Sequence, residues 1–120
     1  MIVPQGGFGM IVDNAAYAAF ERLVLPGSTY RNAVVARSPF TFDDYNPAPH
    51  VARVKAPGLL IASRTDRFVP FTAVEAAARV NPKLSIATFE GDHFDVYSPP
   101  VREPVADATV AFLKAHLLEP

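Results

Sequence analysis

The sequence contains no cysteine, so it offers neither disulfide bonds nor thiolate ligands for a metal. Half of its residues are apolar, yet no run approaches the roughly 18 uninterrupted apolar positions of a membrane span. An excess of either charge is also missing. Eleven Lys and Arg stand against twelve Asp and Glu, a formal charge of −1. That leaves no broad basic surface for nucleic acid or anionic lipid, and neither partner is expected. The opening Met1-Ile2-Val3-Pro4 has no basic n-region and no long apolar h-region. A secretory signal is therefore not expected, and the cytoplasm is the default address. Gly6-Gly7-Phe8-Gly9 follows neither Gly-x-Gly-x-x-Gly nor a Gly-Lys-Ser/Thr ending, so it reads as an entry loop rather than a phosphate cradle. Asp43-Asp44 lacks the acidic spacing and the glycine of an EF-hand loop. No cofactor or metal is expected.

What is present is 120 residues of globular composition, the length of one small domain. A chain of this size can bury ~60–70% of its unfolded surface. Its most informative stretch runs from Ala56 to Tyr97. The apolar run Gly58-Leu59-Leu60-Ile61-Ala62-Ser63 reads as a strand covered on both faces, as in a parallel sheet. A polar turn, Arg64-Thr65-Asp66-Arg67, follows it. Thr72 and Glu75 then form a Thr-x-x-Glu capping box for a helix through Val80, which Asn81-Pro82 ends. Leu84 to Phe89 alternates as a second strand. The crossover from Arg64 to Lys83 is long enough to keep the two strands parallel. The chain then reaches Gly91-Asp92-His93-Phe94-Asp95. Loops after the carboxyl ends of parallel strands share one edge of the sheet, so Asp66 and His93 are expected together. A carboxylate that orients a histidine is two-thirds of a nucleophilic triad. Asp92 and Asp95 are rival partners for His93, but residues adjacent in sequence lack the right angle, and Asp66 is preferred. The plainer alternatives are a turn-stabilising Asp66 and a structural loop histidine.

The segment Ala56-Pro57-Gly58-Leu59-Leu60-Ile61-Ala62-Ser63 with Asp66 and Val69-Pro70, followed by Gly91-Asp92-His93-Phe94, resembles the C-terminal part of the α/β-hydrolases. The resemblance implies Asp66 as the triad acid and His93 as the base. Tyr30-Arg31-Asn32-Ala33-Val34-Val35-Ala36-Arg37 and His93-Phe94-Asp95-Val96-Tyr97 are similar to segments of its dienelactone-hydrolase-like and serine-aminopeptidase-like bacterial branch, the first lying in the cap region. The family's nucleophile sits in Gly-x-Ser-x-Gly. None of the five serines, Ser28, Ser38, Ser63, Ser85 and Ser98, has glycines at that spacing. The chain thus reads as a part of a hydrolase that begins after the nucleophile elbow.

The remainder reads as support. Asp13 can cap a helix from Asn14 to about Leu25, which Pro26-Gly27 stops, with Tyr17, Phe20 and Val24 on one stripe. A second short helix is expected from Tyr30 to Arg37. Arg31 and Arg37 fall on different parts of its surface and read as solvated or paired charges. Phe40 to Pro47 is an aromatic, turn-rich loop, and Phe40, Phe42 and Tyr45 suggest an apolar substrate side. A helical stretch from His50 to Val54 leads to the first strand, with His50 a plain surface histidine. The last helix, Pro104 to Leu118, carries Ala106, Val110, Leu113 and Leu117 on one face, with Lys114 and His116 suited to its C-terminal end.

The expected architecture is α/β, a partial α/β-hydrolase fold. A helical cap segment spans residues 1–55, and a parallel β-α-β-α tail spans 56–120. Two strands are few for an independent sheet. Self-association or a complementing N-terminal half is therefore expected as the partner. Two functions stay open. One is the C-terminal part of a serine hydrolase that cleaves an ester, lactone or peptide-like bond, this chain alone being inactive. The other is a non-catalytic remnant or interaction module that uses the open sheet edge and apolar cap.

Overall fold

A computed structural model describes residues 1–34 and 46–118, which divide into two units, 1–46 and 47–120. The class is mixed α/β, with helices and two small parallel sheets. Among the described residues no helix is long and apolar enough to cross a membrane.

In the first unit, the glycine-rich start without a sequence period forms a two-residue parallel pair, β1 (Ile2–Val3) with β2 (Ile11–Val12), in register Ile2 to Ile11. Asp13 follows as the N-cap of α1 (Asn14–Glu21). Its carboxylate accepts the Ala16 N–H at 2.7 Å, which satisfies one of the free donors of the first turn. The helix is shorter than its stripe suggests. Leu23 and Val24 already donate to Phe20 and Glu21, three residues back, so the chain tightens into turns before Pro26. Tyr17, Phe20 and Val24 are half-buried, and Phe20 meets Tyr30 edge-on at 5.2 Å.

The helix expected from Tyr30 does not form over Tyr30–Val34. Asn32 instead clasps Ile2, accepting its N–H at 2.9 Å and donating to its carbonyl at 2.6 Å. A side-chain amide that completes a strand's backbone pairing competes with local helix formation. The rest of that helix, with Arg37, and the aromatic loop with Phe40, Phe42 and Tyr45 lie outside the described residues.

The second unit holds α2 (Ala48–Val51), β3 (Gly58–Ser63), α3 (Phe71–Val80), β4 (Leu84–Phe89) and α4 (Arg102–Leu117). α2 starts earlier than His50 because Pro47 and Ala48-Pro49 favour a first turn. His50 is exposed, its Nδ1 against the Arg53 guanidinium. β3 and β4 pair in parallel from Gly58–Leu84 to Ser63–Phe89, the crossover helix α3 joining them. The Thr72–Glu75 capping box is not used. Pro70 is the N-cap, and Thr72 is already inside the first turn, so its hydroxyl is not at the cap position. Asn81 does more than end α3. Buried to 3% exposure, it donates to the carbonyls of Val51 and Val54, both at 2.9 Å, and accepts the Lys83 N–H. It ties α2 to the entry of β4.

The last helix departs from its pattern most clearly. Val105, Ala108, Thr109 and Phe112 are its half-buried residues, whereas Val110, Leu113 and Leu117 are 48%, 44% and 73% exposed. α4 is apolar on two sides, and a period of 3.6 cannot choose between them. Burial is thin throughout. Among the described residues the buried apolar ones are Ile2, Ala16 and Ala62, and no large side chain is completely enclosed.

Candidate active site

The site is built at the carboxyl ends of β3 and β4, within the second unit. β3 ends at Ser63, and Asp66 sits in the following turn. Asp66 Oδ1 accepts the N–H groups of Phe68 at 2.7 Å and Val69 at 3.0 Å, which holds the carboxylate rigidly on its own loop. Its other oxygen, Oδ2, lies 2.8 Å from His93 Nδ1. His93 reaches it from the loop after β4, with its ring braced edge-on by Phe68 at 5.6 Å and Phe94 at 4.9 Å. The carboxylate is nearly covered, at 10% side-chain exposure, while the imidazole keeps 34%. The acid is sheltered and the ring stays reachable.

An ionised Asp66 accepts a hydrogen bond from the His93 Nδ1–H, and in a neutral imidazole so held the lone pair is on Nε2. Burial alone would raise the Asp66 pKa. The hydrogen bond from His93, the N–H groups of Val69 and Phe68 and the charge attraction of His93 outweigh it, and the net direction is below the ordinary 3.8.

The rival carboxylates are engaged elsewhere. Asp92 Oδ2 receives the Arg67 guanidinium, Nε at 2.6 Å, and its Oδ1 accepts the His93 N–H at 2.8 Å. Burial pushes the Asp92 pKa up as well, but the hydrogen bond from the Arg67 side chain, the His93 and Arg67 N–H groups and the Arg67 charge outweigh it and hold it below 3.8. Asp95 Oδ2 accepts the Asp92 N–H at 2.7 Å. Arg67 and Asp92 thus join the two loops that carry the acid and the imidazole. A second joint was not visible in the sequence. The Ser63 and Thr65 hydroxyls both donate to the Gly91 carbonyl, Thr65 at 2.8 Å, and the Thr65 N–H donates to Ser63 Oγ at 3.0 Å. Ser63 is 2% exposed and serves as a tie rather than an accessible nucleophile. A hydroxyl pair Ser-x-Thr at a strand's end was the available signal, since such residues commonly bond nearby backbone.

Beside the pair opens a concavity of about 460 Å³, lined mainly by apolar side chains including Ile61, Val74, Phe89 and Val105, with Asp66 and His93 among its walls. An apolar hollow with a few polar groups is the usual form of a small-molecule site. Among the described residues no three His, Asp or Glu side chains converge on a point that could hold a metal ion.

Acid should unpick this corner. Asp66 and Asp92 have folded pKa values below their unfolded ones, so the stability they contribute is present above about pH 4. It is lost as pH falls through the lowered folded values. Urea unfolding from pH 6 to pH 3 should show a declining midpoint below pH 4, with a shallower decline in Asp66→Asn and Asp92→Asn. Equal slopes in all three proteins would contradict the assignment.

No protein-family model and no solved structure matches the chain. Among curated proteins it is similar to the quorum-quenching protein AidA of Acinetobacter baumannii (strain MDR-ZJ06), 27% identical over 114 residues. The match covers 95% of this chain and 38% of the relative, so the chain spans well under half of that protein's length.

Proposed function

We propose that Asp66 and His93 are the acid and base of a serine hydrolase acting on an ester, lactone or peptide-like bond, with the nucleophile on a separate stretch of polypeptide. The observation that carries this reading is the 2.8 Å contact between Asp66 Oδ2 and His93 Nδ1, beside an apolar hollow. Supporting it is the similarity to a quorum-quenching protein, most of whose length has no counterpart here. The resemblance of the Asp66 and His93 loops to α/β-hydrolases points the same way.

The chemistry follows from the tautomer. His93 Nε2 takes the serine proton as the serine oxygen attacks the acyl carbon, and Asp66 stabilises the resulting imidazolium. The bond to the alcohol or amine then breaks, and the same proton passes from Nε2 to the leaving group. Water adds to the acyl-enzyme in the second half, its proton going to Nε2 and then to the departing serine oxygen. The complementing polypeptide also supplies the donors for the oxyanion, which this reading does not assign to any residue of the chain.

A second reading, a non-catalytic interaction module, draws on the exposed apolar residues of α4 and the edge of β3 with which no strand among the described residues pairs. Fluorophosphonate labelling followed by intact-mass measurement separates the two. The purified chain alone should carry no adduct. Mixed with a nucleophile-bearing N-terminal half, it should promote labelling of a serine on that half. A stoichiometric adduct on one of the chain's own serines would overturn the proposed division of the triad, and no labelling of either part would favour the module.

A further inference from the structure

Asp66 and His93 each have a sequence neighbour that reaches across the same gap. Arg67 follows the acid and Asp92 precedes the imidazole, and the guanidinium brings Nε to 2.6 Å and Nη2 to 2.5 Å from Asp92 Oδ2. The ion pair and the Asp66–His93 contact therefore bridge the same two loops through adjacent residues. With Oδ2 turned to Arg67, Asp92 keeps Oδ1 for the His93 N–H at 2.8 Å. The guanidinium thus orients the group that holds the histidine backbone. It also stands 5.6 Å from the centre of the Phe68 ring, and Phe68 is one of the two rings that brace the imidazole edge-on. Arg67 acts on His93 at two points, the backbone through Asp92 and the ring through Phe68.

Holding the fold together is a minor part of what such a pair does. The Arg67 and Asp92 side chains are 47% and 35% exposed, and an ion pair at that exposure adds only modestly to global stability. The Ser63 and Thr65 hydroxyls on the Gly91 carbonyl already tie the loops near the strand ends. What the ion pair adds is definition next to the reacting atoms. The contact of Nδ1 with Asp66 needs the imidazole set in both distance and angle, and a misplacement of ~1 Å can cost on the order of 10²-fold in rate.

We propose that Arg67, acting through Asp92 and Phe68, is a positioning residue that keeps His93 Nδ1 on Asp66. Its consequence for turnover rests on the catalytic reading, whereas the placement of the ring is measurable on this chain alone. Ring-nitrogen NMR of the full chain at mildly alkaline pH reports which nitrogen of His93 carries the proton. The unsubstituted chain should show the Nδ1–H tautomer, which the contact with Asp66 selects. Arg67→Gln should divide the ring between the two tautomers, and Arg67→Lys, which still offers Asp92 a cation, should return most of the Nδ1–H form. Arg79→Gln removes another exposed ion pair, that with Glu75 on α3, and should leave the ring unchanged. In an active assembly reconstituted with a nucleophile-bearing part, Arg67→Gln should lower kcat on the order of tenfold with KM little altered. A single Nδ1–H tautomer in Arg67→Gln overturns the proposal. So does an equal disturbance in Arg79→Gln, or a kcat that Arg67→Gln leaves unchanged. An assembly that is inactive even with the unsubstituted chain refutes the catalytic reading instead, and the ring spectra still decide the role of Arg67.

Discussion

His93→Ala is expected to reduce ester hydrolysis by an enzyme reconstituted from this chain and a nucleophile-bearing part by on the order of 10⁴-fold. On the proposed reading the His93 imidazole moves the proton, and the substitution removes both the acceptor for the serine and the donor for the leaving group. Fold should survive. The ring is a third exposed, and the His93 N–H, which remains in alanine, still reaches Asp92. Asp66→Asn should fall by a comparable factor for a different reason. An amide presents its NH₂ or its carbonyl to Nδ1, so the tautomer with an Nε2 lone pair is no longer enforced. Turnover of a chromogenic ester, with circular dichroism as the control for folding, reads both. Activity within a few-fold of the unsubstituted assembly in His93→Ala would remove the base from the mechanism.

The second large effect lies in the backbone beneath the histidine. Gly91 has φ +143°, and a Cβ there would stand 2.8 Å from Asp95 Oδ2 and 3.0 Å from Asp95 Cβ. Gly91→Ala therefore meets both an unfavourable backbone region and a collision. The two together should cost on the order of 1–3 kcal/mol. Relief requires Asp95 to move, and Asp95 holds the Asp92 N–H. The Gly91 carbonyl is also the shared acceptor for Ser63 and Thr65, so the joint between the loops should loosen with it. Gly27→Ala is the comparison, with φ +81° and nothing within 4 Å of the added carbon. Urea midpoints should drop more for Gly91→Ala than for Gly27→Ala, and only the former should disturb the NMR signals of the His93 ring. Equal losses would mean that the contact with Asp95 contributes nothing.

These two expectations differ in how they could be foreseen. His93 stood out in the sequence because it lies in the loop after one strand as Asp66 lies in the loop after the other. Strand ends in a parallel β-α-β unit are a local property, set by an apolar run, a crossover of sufficient length and a polar turn. Gly91 was visible only as a neighbour of that histidine. Its φ and its closeness to Asp95 arise from how the loop folds back on itself.

The sequence by itself determined β3, α3, β4 and their parallel order, the Asp13 cap of α1, and Asp66 as the partner of His93, because each depends on hydrophobic period, chain length or a donor a few residues away. Only the tertiary structure decided which side of α4 meets the sheet, since both sides are apolar and the choice belongs to the surface it lands on. It likewise set Asn32 on Ile2 in place of a helix, Pro70 rather than Thr72 as the cap of α3, and the Arg67–Asp92 and Ser63–Gly91 ties. Most of these join residues some 25 to 30 positions apart, where side-chain hydrogen bonds follow from loop placement and leave no period in the chain.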